Sequence, residues 1–88
     1  MIRRRVIVRG LVQGVFFRDS VRRRAVAASV TGWVRNNPDG SVEAAFEGDP
    51  GAVERLVAYC REGPRGAYVD SVGVVDEEPL GLETFEIR

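Results

Sequence analysis

The sequence predicts an α+β sandwich, with two helices covering one face of an antiparallel sheet. Three observations carry this reading. Strand-like apolar patterns occur in five segments and helix-like stripes in two. Their order is β-α-β-β-α-β with a short terminal strand. Gly, Pro and Asp stand between them at positions where turns and helix ends need them.

Ile2 to Val12 alternates, with Val6, Val8 and Val12 on one side and Arg3, Arg5, Ile7 and Arg9 on the other. Period two makes this a half-buried strand. Gly14 breaks the pattern, and Arg18 to about Ser29 reads as a helix with Val21, Ala25 and Ala28 on its apolar face. Ser at the end of that helix is less at ease than Gly in the left-handed conformation such ends adopt. Thr31 to Asn36 is a second strand. Pro38-Asp39-Gly40 turns the chain, because Pro presets φ and Gly accepts a positive one. Ser41 to Gly48 is a third strand, with Val42, Ala44 and Phe46 inward and Glu43 and Glu47 expected to face solvent. Asp49 caps a second helix that has Pro50 at its first position. Val53, Leu56, Val57 and Cys60 form its stripe, and Gly63-Pro64 ends it. Ala67 to about Asp76 is a fourth strand and Leu82 to Ile87 a fifth, with Phe85 and Ile87 expected inward.

This order predicts a single domain over residues 1–88 with the ferredoxin-like sandwich architecture. The right-handed crossover rule places the third strand between the first and second. The first two strands then run the same way, and their C-terminal ends meet at one edge. Gln13–Arg18 and Asn36 are thereby brought together.

Composition narrows the chemistry. The 88 residues include no His and one Cys. That excludes a Ser–His–Asp triad, a Cys–His pair, an internal disulfide and the usual zinc ligand sets. No apolar run reaches the roughly 18 residues of a membrane span, and Arg9 and Gln13 interrupt any signal-like stretch. The reading is a cytoplasmic protein with no membrane partner. Cys60 lies on an apolar stripe and has Gly66, not Arg, at the spacing of Cys-dependent phosphatases, so packing is its expected role. Glu77-Glu78 beside Pro79 read as a solvated turn. The net charge of zero hides an asymmetry: residues 1–36 carry nine Arg and one Asp, residues 37–88 four Arg and twelve acids. Such a basic N-terminal third is expected to raise the local potential for an anionic ligand.

The segment Gly10-Leu11-Val12-Gln13-Gly14-Val15-Phe16-Phe17-Arg18 leaves a strand, bends and enters a helix. Successive N–H groups in such a bend can form an anion nest, and the helix's first turn adds unpaired donors. Arg18 there opposes the helix dipole, and Arg22 one turn later adds repulsion. A bound oxyanion would offset both.

Read whole, the segment resembles the acylphosphatase family pattern G-x-V-Q-G-V-x-(F/Y)-R at every fixed position. Gly32-Trp33-Val34-Arg35-Asn36 is similar to the family's second pattern. The Asp39-Gly40 turn and the terminal Phe85-Glu86-Ile87 also fit. The resemblance implies that Arg18 is the phosphate-binding catalytic Arg and that the main-chain amides of Gln13, Gly14, Val15, Phe16, Phe17 and Arg18 cradle the phosphate. It implies that Asn36 positions the attacking water. The reaction it implies is hydrolysis of a small anionic acyl phosphate, without metal or other cofactor and with phosphate or sulfate as competing ligands. Met1 at the start and a last strand near the end favour a free-standing monomer. The alternative is a non-catalytic domain of the same type that binds an anion or RNA. RNA-binding sheets of this architecture stack bases on outward aromatics, whereas the third strand here presents Glu43 and Glu47.

Overall fold

The computed structural model describes residues 1–88. Its elements are β1 (Ile2–Leu11), α1 (Phe17–Ala27), β2 (Thr31–Asn36), β3 (Val42–Gly48), α2 (Pro50–Glu62), β4 (Tyr68–Glu77) and β5 (Phe85–Ile87). The sheet order is β4-β1-β3-β2-β5. β3 runs antiparallel to both β1 and β2, so those two strands are parallel to each other and end on the same edge. The fifth strand is shorter than its pattern suggested and pairs parallel with β2, which makes the sheet mixed at that edge.

One core joins the layers. Val6, Val8, Val34, Ala44 and Phe46 of the sheet meet Val21 and Ala25 of α1 and Val53, Leu56 and Cys60 of α2. Fully burying an aliphatic side chain contributes about 1.5–3 kcal/mol, and most of this core is Val, whose branched Cβ suits a strand. Ile87, expected inward, is 42% exposed because β5 sits at the outer edge of the sheet. A register shift between Arg9 and Gly10 bulges β1 against β4 just before its end. Gly is required there: φ is 132°, and a Cβ would lie 2.1 Å from the Tyr68 carbonyl oxygen. Such a bulge bends the strand and re-aims the loop that leaves it.

The face of β3 expected in solvent is buried. Glu47 is fully shielded and Glu43 nearly so. Cross-strand pairing explains this, since Arg3 lies opposite both Glu47 on β3 and Glu77 on β4. Arg3 donates to Glu47 at 2.7 Å and to Glu77 at 2.9 Å. Arg5 donates to Glu43 at 2.8 Å and to Glu77 at 2.9 Å. Arg4 pairs with Glu54 and Asp76. The N-terminal Arg run is therefore taken up by the protein's own carboxylates, and Glu77 belongs to a strand, not to a solvated turn. Between β4 and β5 the chain runs from one edge of the sheet to the other. On the way, the main-chain N–H groups of Leu80, Gly81 and Leu82 donate to the Glu47 carboxylate.

Helix α1 ends in a two-bond motif: Val30 N–H donates to Ala25 O and Ser29 N–H to Val26 O. The motif needs a left-handed residue at its centre, and Ser29 supplies it with φ 57°. A non-Gly residue there stores strain. Ser29→Gly is expected to stabilise the fold by about 0.5–1 kcal/mol, the relief of strain outweighing the extra entropy of an unfolded Gly. The check is a higher urea midpoint at unchanged slope.

Candidate active site

The loop Val12–Phe16, which leaves the bulged end of β1, and the start of α1 form one wall of a cleft of about 410 Å3. The end of β2 and the edge strand β5 form the other. Gly14, Phe16, Phe17, Arg18, Asp19 and Asn36 line it, with Val12 and Ile87. Arg18 and Asn36, which the parallel run of β1 and β2 was expected to bring together, thus open on the same cavity. Gln13 and Val15 do not line it. The Gln13 side chain instead donates to the carbonyls of Asn37 and Ser41, at 2.8 and 2.9 Å, and ties the loop to the β2–β3 turn.

The loop's main chain has an unusual account of hydrogen bonds. Its curl comes from positive φ at Gly14 (77°) and Phe16 (58°). The first intrahelical donor of α1 is Ser20, bonded to Phe16 O at 3.0 Å. Outside the regular elements, no bond within the protein is donated by the N–H of residues 13–16. The first helical residues add donors that helix geometry leaves unpaired. Phe16 gives the helix no side-chain cap. A run of main-chain N–H groups without internal partners therefore lies at the helix's positive end, where an anion is favoured.

The side chains complement it. Arg18 is half-buried and forms no salt bridge, whereas Asp19 is held to Arg23 at 3.1 Å. Oδ1 of Asn36 is the one buried side-chain polar atom in the chain without a hydrogen-bond partner. Buried acceptors are nearly always satisfied, so an orphan lining a cleft marks a place for a donor. Nearby, Asp39 accepts from the Ser41 hydroxyl and main-chain N–H and from Arg9, which holds its carboxyl down at about pKa 2. That clamp fixes the β2–β3 turn behind Asn36.

Two alternatives fall away on geometry. Cys60 is buried in the core, and desolvation pushes its thiol up to about pKa 12, so it is neither reachable nor nucleophilic. A larger cavity of about 590 Å3 lies between the helices beside Arg24 and Tyr59, but no unpaired buried side-chain atom opens on it. Sequence reasoning missed Asp19 and Ile87 as cleft residues. Asp19 follows Arg18 directly, but Ile87 is placed only by the pairing of Val34 with Ile87.

Fold and cleft together define a ferredoxin-like sandwich with a donor-lined cavity where β1 enters α1. The chain belongs to the acylphosphatase family, whose sequence pattern it matches over residues 4–87. Acylphosphatase from Rubrobacter xylanophilus is 59% identical over 86 residues, covering 96% of this chain and 77% of that protein. The one from Gloeobacter violaceus is 52% identical over 86 residues, covering 98% and 92%. The crystal structure of acylphosphatase from Bacillus subtilis has a TM-score of 0.95 at 36% identity, covering 100% of this chain and 99% of that one.

Proposed function

We propose that this chain is an acylphosphatase that hydrolyses the mixed anhydride of a carboxylic acid and phosphate with Arg18, Asn36 and the main chain of Gln13–Arg18. The observation that carries the assignment is the run of unpaired main-chain donors before Arg18, in the loop whose Gly14 and Phe16 line the cleft with Arg18 and Asn36. The N–H groups receive the phosphate oxygens, and the Arg18 guanidinium holds two of them in its planar fork. Asn36 Oδ1 accepts a hydrogen bond from the attacking water and aims it at phosphorus.

Little else is needed. Phosphoryl transfer is dominated by positioning and charge stabilisation. Water's oxygen bonds to phosphorus as the bond to the acyl oxygen breaks. The electron pair leaves on a carboxylate whose conjugate acid has a pKa of about 4–5, so no general acid is required. The water's proton passes to a phosphate oxygen, giving dihydrogen phosphate and the carboxylate. Asn is not a base at neutral pH and contributes orientation only.

The chain acts as a cytoplasmic monomer on a small anionic substrate, with phosphate or sulfate competing and nucleic acid playing no part. The pairing of Arg3, Arg4 and Arg5 with carboxylates supports the last point. No helix is long and apolar enough to cross a membrane. Benzoyl phosphate hydrolysis assayed with a chelator present tests the assignment; no hydrolysis, or loss of activity to the chelator, would contradict it. Asn36→Ala is expected to lower kcat about a hundredfold, the range for a lost positioning contact. Competitive inhibition by phosphate should persist, and its loss would make Asn36 a binding residue instead.

A further inference from the structure

Phe16 breaks two local rules at once. It occupies the N-cap of α1, where Ser, Thr, Asp, Asn or Gly is favoured, and it caps nothing. It also holds φ 58°, a conformation that Asn and Gly adopt far more readily than an aromatic residue. Burial does not offset this, because Phe16 is 81% exposed, the most exposed large apolar side chain in the chain. Backbone strain of this kind persists where function uses it.

The cleft shows what the ring does. Its lining is mixed: Gly14, Arg18, Asp19 and Asn36 stand beside the apolar Val12, Phe16, Phe17 and Ile87, and of those four apolar residues Val12 and Phe17 are buried while Phe16 is exposed. The cavity of about 410 Å3 lies in the range that holds a small organic ligand, about 300–1,000 Å3. A phosphate group alone leaves much of it unfilled. Ile87 is itself 42% exposed at the sheet edge. Two exposed apolar side chains thus share the cleft with Arg18 and Asn36.

We propose that Phe16 is a specificity-determining residue: with Ile87 it forms an apolar rim that takes the acyl group and favours aromatic or bulky apolar acyl phosphates over acetyl phosphate. This rests on the acylphosphatase reading of the same cleft. The phosphate end is held by the loop and Arg18 whatever the acyl group is. A large flat acyl group reaches the rim, and a methyl group does not. Burying an aromatic ring against another apolar surface adds binding that the smaller substrate lacks.

The test is kcat/KM for benzoyl phosphate and for acetyl phosphate in the native chain, Phe16→Ala and Phe16→Asn. Phe16→Asn removes the ring yet suits both the left-handed conformation and the cap, so it guards against a folding artefact. The benzoyl-to-acetyl ratio is expected to fall about tenfold in both variants. The readout is that ratio and not either rate alone, because the Phe16 main-chain N–H belongs to the phosphate loop; Phe16→Asn should also unfold at a higher temperature. An unchanged ratio with both substrates hydrolysed would overturn the rim alone. An equal loss on both substrates would also overturn it, making Phe16 a part of the loop's shape. A native chain that hydrolyses neither substrate would instead bring down the acylphosphatase reading.

Discussion

Arg18→Lys is expected to lower kcat/KM about a thousandfold, within the range of an Arg supplied to a phosphoryl transition state. Charge alone does not explain Arg at this position. Arg18 sits at the second residue of α1, where any cation opposes the helix dipole. Lys would carry the same penalty and the same charge. It differs in presenting one ammonium point rather than a planar fork that spans two oxygens of one phosphate. The loop's N–H groups would still attract phosphate, so inhibition by phosphate should weaken rather than vanish. Near-native turnover in Arg18→Lys would remove Arg18 from the proposed reaction. Arg18→Gln adds a second readout. It should be inactive yet slightly more stable than the native chain, by about 0.3–1 kcal/mol, because a charge at the wrong helix end has gone. A merely structural Arg would not give that pairing of lost activity with gained stability.

That same conflict between local propensity and residue choice makes Arg18 a candidate in the sequence, but the match of Gly10–Arg18 as a whole to the acylphosphatase pattern is what singles the loop out. Arg18 and Phe16 each disagree with the helix they begin, although only Arg18 was readable as such from sequence. The left-handed φ of Phe16 becomes visible only with coordinates. The meeting of Arg18 with Asn36 followed from connectivity: a right-handed crossover fixes β1 and β2 as parallel strands ending together. The features that sequence did not disclose depend on register. Periodicity of two says that Glu43 and Glu47 share a face, but not what lies opposite. Only pairing shows that Arg3 stands between Glu47 and Glu77, so that the basic first third and the acidic remainder neutralise one another across the sheet. Ile87 was misplaced for a related reason. Its strand has three residues, too few for a pattern to tell an inward position from an edge one.

Glu47→Ala is expected to destabilise the fold by about 3–5 kcal/mol, the cost of breaking a buried ion pair from one side. Glu47 is fully buried, and each of its oxygens receives two donors. Oε2 accepts from Arg3 Nη1 at 2.7 Å and from Leu80 N–H at 2.9 Å. Oε1 accepts from Gly81 and Leu82 N–H at 3.1 and 3.2 Å. Four donors fill the four acceptor sites of a carboxylate. Gln has nearly the same shape but turns one oxygen into an amino group, which would face two of those donors. Glu47→Gln should therefore also destabilise strongly, which separates this site from one where only volume counts. For a chain of this length the expected loss corresponds to roughly 15–25 °C in Tm. Acid should act through the same group. Burial raises the Glu47 pKa, but the donors from Leu80, Arg3, Leu82 and Gly81 outweigh it, and the net shift is downward. Glu43 and Glu77 are lowered as well. A carboxyl depressed in the folded state contributes stability that is fully present above its ordinary pKa of about 4.5. That stability is lost as pH falls through the lower folded value. The native chain should lose stability steeply below about pH 4, and Glu47→Ala should show a shallower slope there. The anchor lies at the start of β1, and the cleft lies at its other end. Folded Glu47→Ala should accordingly keep native inhibition by phosphate. A urea midpoint within error of native, or an unchanged acid slope, would show that the Leu80–Leu82 crossing holds without its carboxylate.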